Sequence, residues 1–360
     1  MNKNDFIDYI KSNVKDYLPP EYESAAITSA VVTKENDTKR TGLLIKKENE
    51  SVTPTIYVEQ HYERYQGGQD IDTIVGDIAD MRIECERPEI EEMAHDIEDY
   101  EKVKNHLQIH LCEPERNKER LKGKVFDMCG DYAAVYYVNL KKLNGLNGSI
   151  PITNSMMEHW EVGMEKLHAD AIAAEERRKP SLVALDELII SMQFGIGHPE
   201  NFLENGNEID SMNVSAHLFC LTNESNFHGA SLIFNEHIQE KIGKALHDDY
   251  YVIPSSVHEC LIIPQSMGMR LDELNETIRD INATEVLAEE VLSDKALYYD
   301  RATKVLENAE TRQERLNALE KEQSNQGKMS IHARLAEKKQ QIQKNATVGQ
   351  KVLSANEVSI

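Results

Sequence analysis

The sequence predicts an α+β protein, with mostly antiparallel strands, helices packed on them, and a helical, partly disordered C-terminal tail. Three observations predict it. Strand-like runs are joined by short polar turns, which reads as hairpin pairing. Residues 71–85 carry apolar side chains at clear helical spacing. The last 40 residues lose all aromatic side chains and turn to Gln, Asn, Lys and Ala.

Residues 4–17 read as an amphipathic helix, with Phe6, Ile7, Ile10, Val14 and Leu18 on one face. Pro19-Pro20 stops it. Residues 25–33 and 41–46 form a hairpin around the polar turn Lys34-Glu35-Asn36-Asp37, and 54–58 a short third strand. Asp70 caps the helix that carries Ile71, Ile74, Val75, Ile78, Met81 and Cys85. The acidic stretch 89–101 reads as surface helix. Leu107, Ile109 and Leu111 alternate with His106, Gln108 and His110, which predicts a half-buried strand with its histidines on the polar side. Residues 132–140 read as a more buried strand, 144–147 as a turn, and 149–152 as an edge strand because of Pro151. Thr153 or Asn154 caps a helix through Trp160, and 161–178 form another.

Residues 181–194 read as apolar helix or strand. The Gly-, Asn- and acid-rich loop 195–213 either divides an N-terminal half, 1–200, from a C-terminal half, 201–300, or lies within one continuous domain made of both, and a basic tail, 301–360, is appended. Strands are expected at 216–221, 230–234, 250–253 and 260–263, and a helix at 235–247. From Leu271 onward the pattern is helical, with Thr284 and Ser293 as caps that restart it. In the tail, Ile331, Leu335 and Ile342 share one face of a short helix capped by Ser330.

The chain has 360 residues and a formal charge of -23. Residues 323–360 carry a net +4, which leaves -27 for the rest. So acidic a body repels phosphate backbones, and nucleic acid is not expected as its partner. No run approaches the roughly 20 apolar residues that span a bilayer, so no membrane association is expected. Met1-Asn2-Lys3-Asn4-Asp5 lacks the apolar stretch of a signal peptide. Five widely spaced cysteines with no Cys-x-x-Cys fit neither a disulfide framework nor a zinc ribbon. Reduced thiols in a cytoplasm are the expected setting.

The catalytic and cofactor motifs fail one by one, and no cofactor is expected. Gly195-Ile196-Gly197 begins like a dinucleotide fingerprint, but Glu200 stands at the third glycine. Gly327-Lys328 lacks the upstream glycine of a phosphate loop. His258-Glu259 begins like a zinc protease, but Ile262 occupies the place of the second histidine. No Gly-x-Ser-x-Gly elbow occurs. The densest polar group in an apolar setting is Pro254–Glu259, so Ser255, Ser256, His258 and Glu259 are the candidate catalytic residues. His217, His228 and His258 are the candidate metal ligands, and strand–turn–strand folding can bring His228 near His258. Their spacing compels no metal site.

Several segments in order carry a resemblance. They are Pro54-Thr55-Ile56-Tyr57 with Tyr62, Tyr65 and Gly68; Ala133-Ala134-Val135-Tyr136-Tyr137; Ser149-Ile150-Pro151-Ile152-Thr153-Asn154 with Trp160; Leu221-Thr222-Asn223 before Gly229-Ala230; Tyr251–Glu259; and Glu290–Asp294 with Tyr298. Over about residues 25 to 300 the chain resembles an uncharacterised family, a domain of unknown function (5688-like), of gut Clostridia and their relatives. The resemblance implies a cytoplasmic protein, often encoded on mobile genetic elements, and brings no catalytic residue. The expected function is an accessory protein that acts by protein–protein interaction, possessing a docking tail at 323–360. The alternative is a hydrolase or metal-dependent enzyme around His258 and Glu259.

Overall fold

Asn2 caps the first helix, α1 (Lys3–Asn13), its side chain accepting from the Asp5 N–H. Phe6, Ile7 and Ile10 bury the inner face. In the computed structural model the described residues are 1–48, 50, 53–86, 96–143, 146–195, 197, 199–204, 218–254, 256–322, 335, 336, 338 and 339. They fall into two units, Met1–Asn308 and Ala309–Ile360. In the second, a helix covers 309–322; Ser330, Ile331 and Ile342 lie outside the described residues. So do residues 87–95, 144, 145 and 205–217, and with them most of the expected acidic helix, part of a turn, and the start of a strand.

The first unit begins with an antiparallel sheet of β1 (Ala26–Thr33), β2 (Lys39–Lys46) and β3 (Thr55–Tyr57), in that order. α1, α2 (Val58–Gln66) and α3 (Ile71–Glu84) share its core of Phe6, Ile10, Leu43, Ile45, Ile74 and Ile78. Asp70 caps α3 by accepting from the Thr73 N–H, as the sequence predicts.

The second sheet is built on β6 (Tyr132–Leu143). β4 (Leu107–Cys112) takes one edge of it. β5 (Phe126–Cys129) and β7 (Leu146–Pro151) share the other, β5 pairing from Tyr132 to Val135 and β7 from Tyr137 onward. The third sheet has the order β13-β12-β10-β11-β9-β8. Its strands are β8 (Pro180–Ala184), β9 (Phe219–Asn223), β10 (Tyr250–Ile253), β11 (Cys260–Pro264), β12 (Leu297–Asp300) and β13 (Val305–Asn308). Every pairing is antiparallel. The helices here are α4 (Tyr100–Val103), α5 (Asn154–Trp160), α6 (Met164–Glu176), α7 (Leu185–Phe194), α8 (Glu236–Leu246) and α9 (Leu271–Thr284). One core joins both sheets and includes Ile109, Tyr136, Leu167, Leu221, Ile242 and Val252. The α+β class with antiparallel sheets is the one the sequence predicts.

Four local expectations change. β4 is buried along its whole length, so His110 does not face solvent, and His106 lies in a 3-10 turn before the strand. Alternation predicts a solvated face only when nothing packs on it, and here other segments cover both faces. Residues 230–234 form a 3-10 helix, Gly229–Phe234, instead of a strand, because the Gly229 and Ala230 N–H groups bond to the His258 and Val257 carbonyls. Residues 297–300 and 305–308 are strands joined by a turn, held partly by the ring pairs Tyr250–Tyr299 and Tyr251–Tyr298. Thr284 ends α9, with its hydroxyl on the Asp280 carbonyl, and the Ser293 hydroxyl accepts from the Lys295 N–H with no helix behind it. Residues 181–194 are strand and then helix. No helix among the described residues is long and apolar enough to cross a membrane.

Candidate functional site

The β1–β2 turn places Asn36 and Asp37 at φ 55° and 51°, a left-handed conformation that Asn and Asp tolerate better than most residues. Both hold the tip against the body. The Asn36 side-chain amide donates to the Ala288 and Val291 carbonyls at 2.8 and 2.7 Å. Asp37 accepts from the Glu119 and Arg120 N–H groups at 2.9 and 2.8 Å. Arg40, on β2, pairs with Glu289 at 2.6 Å. With the tip seated, Glu35 reaches inward to the buried Arg120 guanidinium at 2.6 Å.

Glu35 there meets His110 of β4 and His228 of the turn after β9. One possible ligand atom from each lies within 4.8 Å of the others. Tyr137, His110 and His228 stack as a column, with ring centroids 3.9 and 3.4 Å apart. The Tyr137 hydroxyl accepts from Arg120 at 3.1 Å and from Lys124 at 3.0 Å. His110 is 2% exposed and His228 5%, so the column is closed to solvent. Both ring nitrogens of His110 and Nδ1 of His228 are buried without a hydrogen-bond partner.

The electrostatics follow from burial. Burial drives both imidazoles well below their usual range and leaves them neutral. Burial, the largest single influence on the Glu35 carboxyl, would raise it, but the Arg120 charge and lesser contributions from its other neighbours together outweigh burial and hold the group at about 2. Burial, then repulsion from Arg120, brings the Lys124 ammonium down to about 8.

The segment singled out in the sequence packs against this column. The His258 Nδ1 accepts from the His228 backbone N–H at 3.2 Å, and its Nε2 lies 3.4 Å from Glu290. Nδ1 is therefore engaged as an acceptor, and Nε2 lies beside a carboxylate instead of the Ser256 hydroxyl. Ser256 is buried and its hydroxyl accepts from the His258 N–H at 3.0 Å. Glu259 is half-buried, and burial raises its carboxyl. Cys260 is buried, and burial raises its thiol far above the usual range. Ser255 and His217 lie outside the described residues. Thus His228 and His258 do meet, but the group of possible ligands pairs His228 with Glu35 and His110.

Glu35, His110, Arg120, Lys124 and Tyr137 have no place among the sequence candidates. They come from four separate stretches, and the one local signal, the alternation at His110, points the histidine outward. An open groove of about 530 Å³ has Asn36, Arg116, Arg279, Asn282 and Asp294 in its lining, and neither histidine.

The other feature that stands out is α7. None of its residues is buried. Ile189, Ile190, Met192 and Phe194 are 44%, 50%, 74% and 67% exposed. Four large apolar side chains on ten residues make a patch, unlike the single exposed hydrophobics usual on a surface.

No curated protein and no solved structure shows significant similarity to this chain. A family model described as a family of unknown function (DUF5688) matches residues 3–301, which include the hairpin tip, the histidine column and the 254–260 segment. Since that match takes in most of the sequence, the chain belongs to this family of unknown function.

Proposed function

We propose that the protein is a binding component, working by contact with another protein, and that α7 is the face it offers. The observation that carries this reading is the unburied apolar row Ile189, Ile190, Met192 and Phe194. Asp186 and Glu187, both exposed, begin the same helix, and the chain as a whole carries -23. The fitting partner is a protein face with an apolar centre and a rim of Lys and Arg. The tail 323–360, with its net +4, is a second contact in this reading. The setting is the cytoplasm, in the service of a mobile genetic element, as the resemblance implies. The enzymatic alternative has less support, because the His258 Nδ1 is held by the His228 N–H and the histidine column is closed.

The test compares the full chain with an Ile190→Glu/Phe194→Glu variant and with a deletion of 323–360, using affinity capture and sedimentation. The double variant is expected to keep the wild-type circular dichroism and unfolding midpoint and to lose a basic partner that the wild type retains. Identical partners for wild type and double variant would overturn the α7 assignment. A wild-type dimer that the double variant dissociates would replace the foreign partner with a second copy.

A further inference from the structure

We infer that Glu35, His110 and His228 hold one transition-metal dication of the zinc class, and that the ion clasps the β1–β2 hairpin to the body. This inference does not rest on the α7 reading. The three residues come from a hairpin turn, a strand and a loop, and only the docked tip brings one ligand atom from each within 4.8 Å. Two neutral imidazoles and an ionised carboxylate are a donor set that zinc and its neighbours prefer. Buried polar atoms are almost always hydrogen-bonded. Three imidazole nitrogens here are not, and they stand in the column that Glu35 joins. A cation would satisfy the lone pairs that no donor reaches.

Two features of the surroundings shape the site. Imidazole binds a metal in the plane of its ring, and the two rings lie nearly parallel, 9° apart. They must splay for their lone pairs to converge, so the ion replaces the stack. Arg120 and Lys124 add positive charge, but Glu35 faces Arg120 directly, and Arg120 also bonds the Tyr137 hydroxyl. Arg120 is thus a positioning residue that aims the carboxylate. His258 stays outside the ligand set because its Nδ1 holds the His228 N–H. Three protein ligands leave one tetrahedral position for water. With the histidines 2% and 5% exposed, the ion serves to hold structure together.

The experiment uses the full-length chain, stripped with a chelator and titrated with Zn²⁺ alone, and in parallel with Co²⁺ for its visible d–d bands. One equivalent of Zn²⁺ per chain is expected, together with slower amide exchange at residues 34–38. His110→Phe preserves the aromatic column without a nitrogen, and Glu35→Gln can still accept from Arg120. Each should weaken Zn²⁺ binding by about 100-fold or more, the upper end of what loss of an outer-shell partner costs. His237→Ala, at a surface histidine, should change nothing. If His110→Phe does not fold, Glu35→Gln decides alone. Absence of a bound equivalent would overturn the inference, as would an affinity unchanged by Glu35→Gln.

Discussion

The imidazole Nδ1 of His258 accepts the backbone N–H of His228 at 3.2 Å, across 30 positions of sequence. His228 sits at φ 52°, a left-handed conformation that is uncommon outside glycine and carries a backbone cost. His258 thereby helps to hold His228 where its ring can stack on His110. His258→Ala leaves a buried N–H without its partner and should cost about 1–3 kcal/mol in urea unfolding. A loss well under that range would show that His228 keeps its place unaided.

Gly229 follows directly and lies closer to its neighbours than any side chain allows. A Cβ there would stand 2.6 Å from the Thr222 hydroxyl and 2.7 Å from the His258 carbonyl. Both atoms are already bonded to each other, at 3.0 Å, and the carbonyl also accepts from the Gly229 N–H. Gly229→Ala should destabilise by about 1–3 kcal/mol, the cost of overpacking a filled interior. Gly68→Ala offers a contrast: nothing lies within 4 Å, but φ is +94°, so its penalty comes from backbone strain alone. Thermal unfolding measures both penalties and amide hydrogen exchange separates the causes, since only Gly229→Ala should also disturb amide protection around His258.

Stability of the metal-free chain should fall on acidification from about pH 6.5. In the unfolded chain His110 and His228 bind protons at their ordinary value, while in the fold burial keeps both neutral. Stability is greatest above the unfolded value and declines as pH drops, by up to about 2.7 kcal/mol per pH unit for two such groups. Glu35 adds a second window. Its folded value of about 2 lies below the ordinary 4.5, so its stabilising share is present above 4.5 and is lost as pH falls toward 2. Urea midpoints at pH 7, 6 and 5 measure the first window. His110→Phe should roughly halve that slope; an unchanged slope would remove His110 from the account.

The cysteines should divide by burial. Cys112, Cys220 and Cys260 are buried, and burial raises all three thiols, Cys112 to about 11 and Cys220 to about 12. Cys85 and Cys129 are half-buried. A thiol reagent at pH 8 should label the latter pair in the folded chain and the buried three only after denaturation. Fast native labelling of Cys260 would contradict the packing of the 254–260 segment against Ala230.

Local rules reach far into this sequence. Asp70 before a run of apolar residues at helical spacing is enough to place α3, because a cap and an amphipathic stripe act within a few residues. The polar Lys34–Asp37 turn likewise marks the β1–β2 hairpin. The order of strands and turns allows His228 to approach His258, and the fold brings the two together. The same rules misplace His110 and residues 230–234 and 297–308, since each depends on what covers a segment from elsewhere in the chain. Sequence by itself determined the α+β class, the antiparallel pairing, the family and the acidic balance, all of which follow from composition, periodicity and motif order. Only the tertiary structure decided that Glu35 meets His110 and His228, and that α7 keeps its apolar row in solvent. Burial and convergence depend on distant contacts, and a one-dimensional pattern does not encode which distant segment will cover a given face.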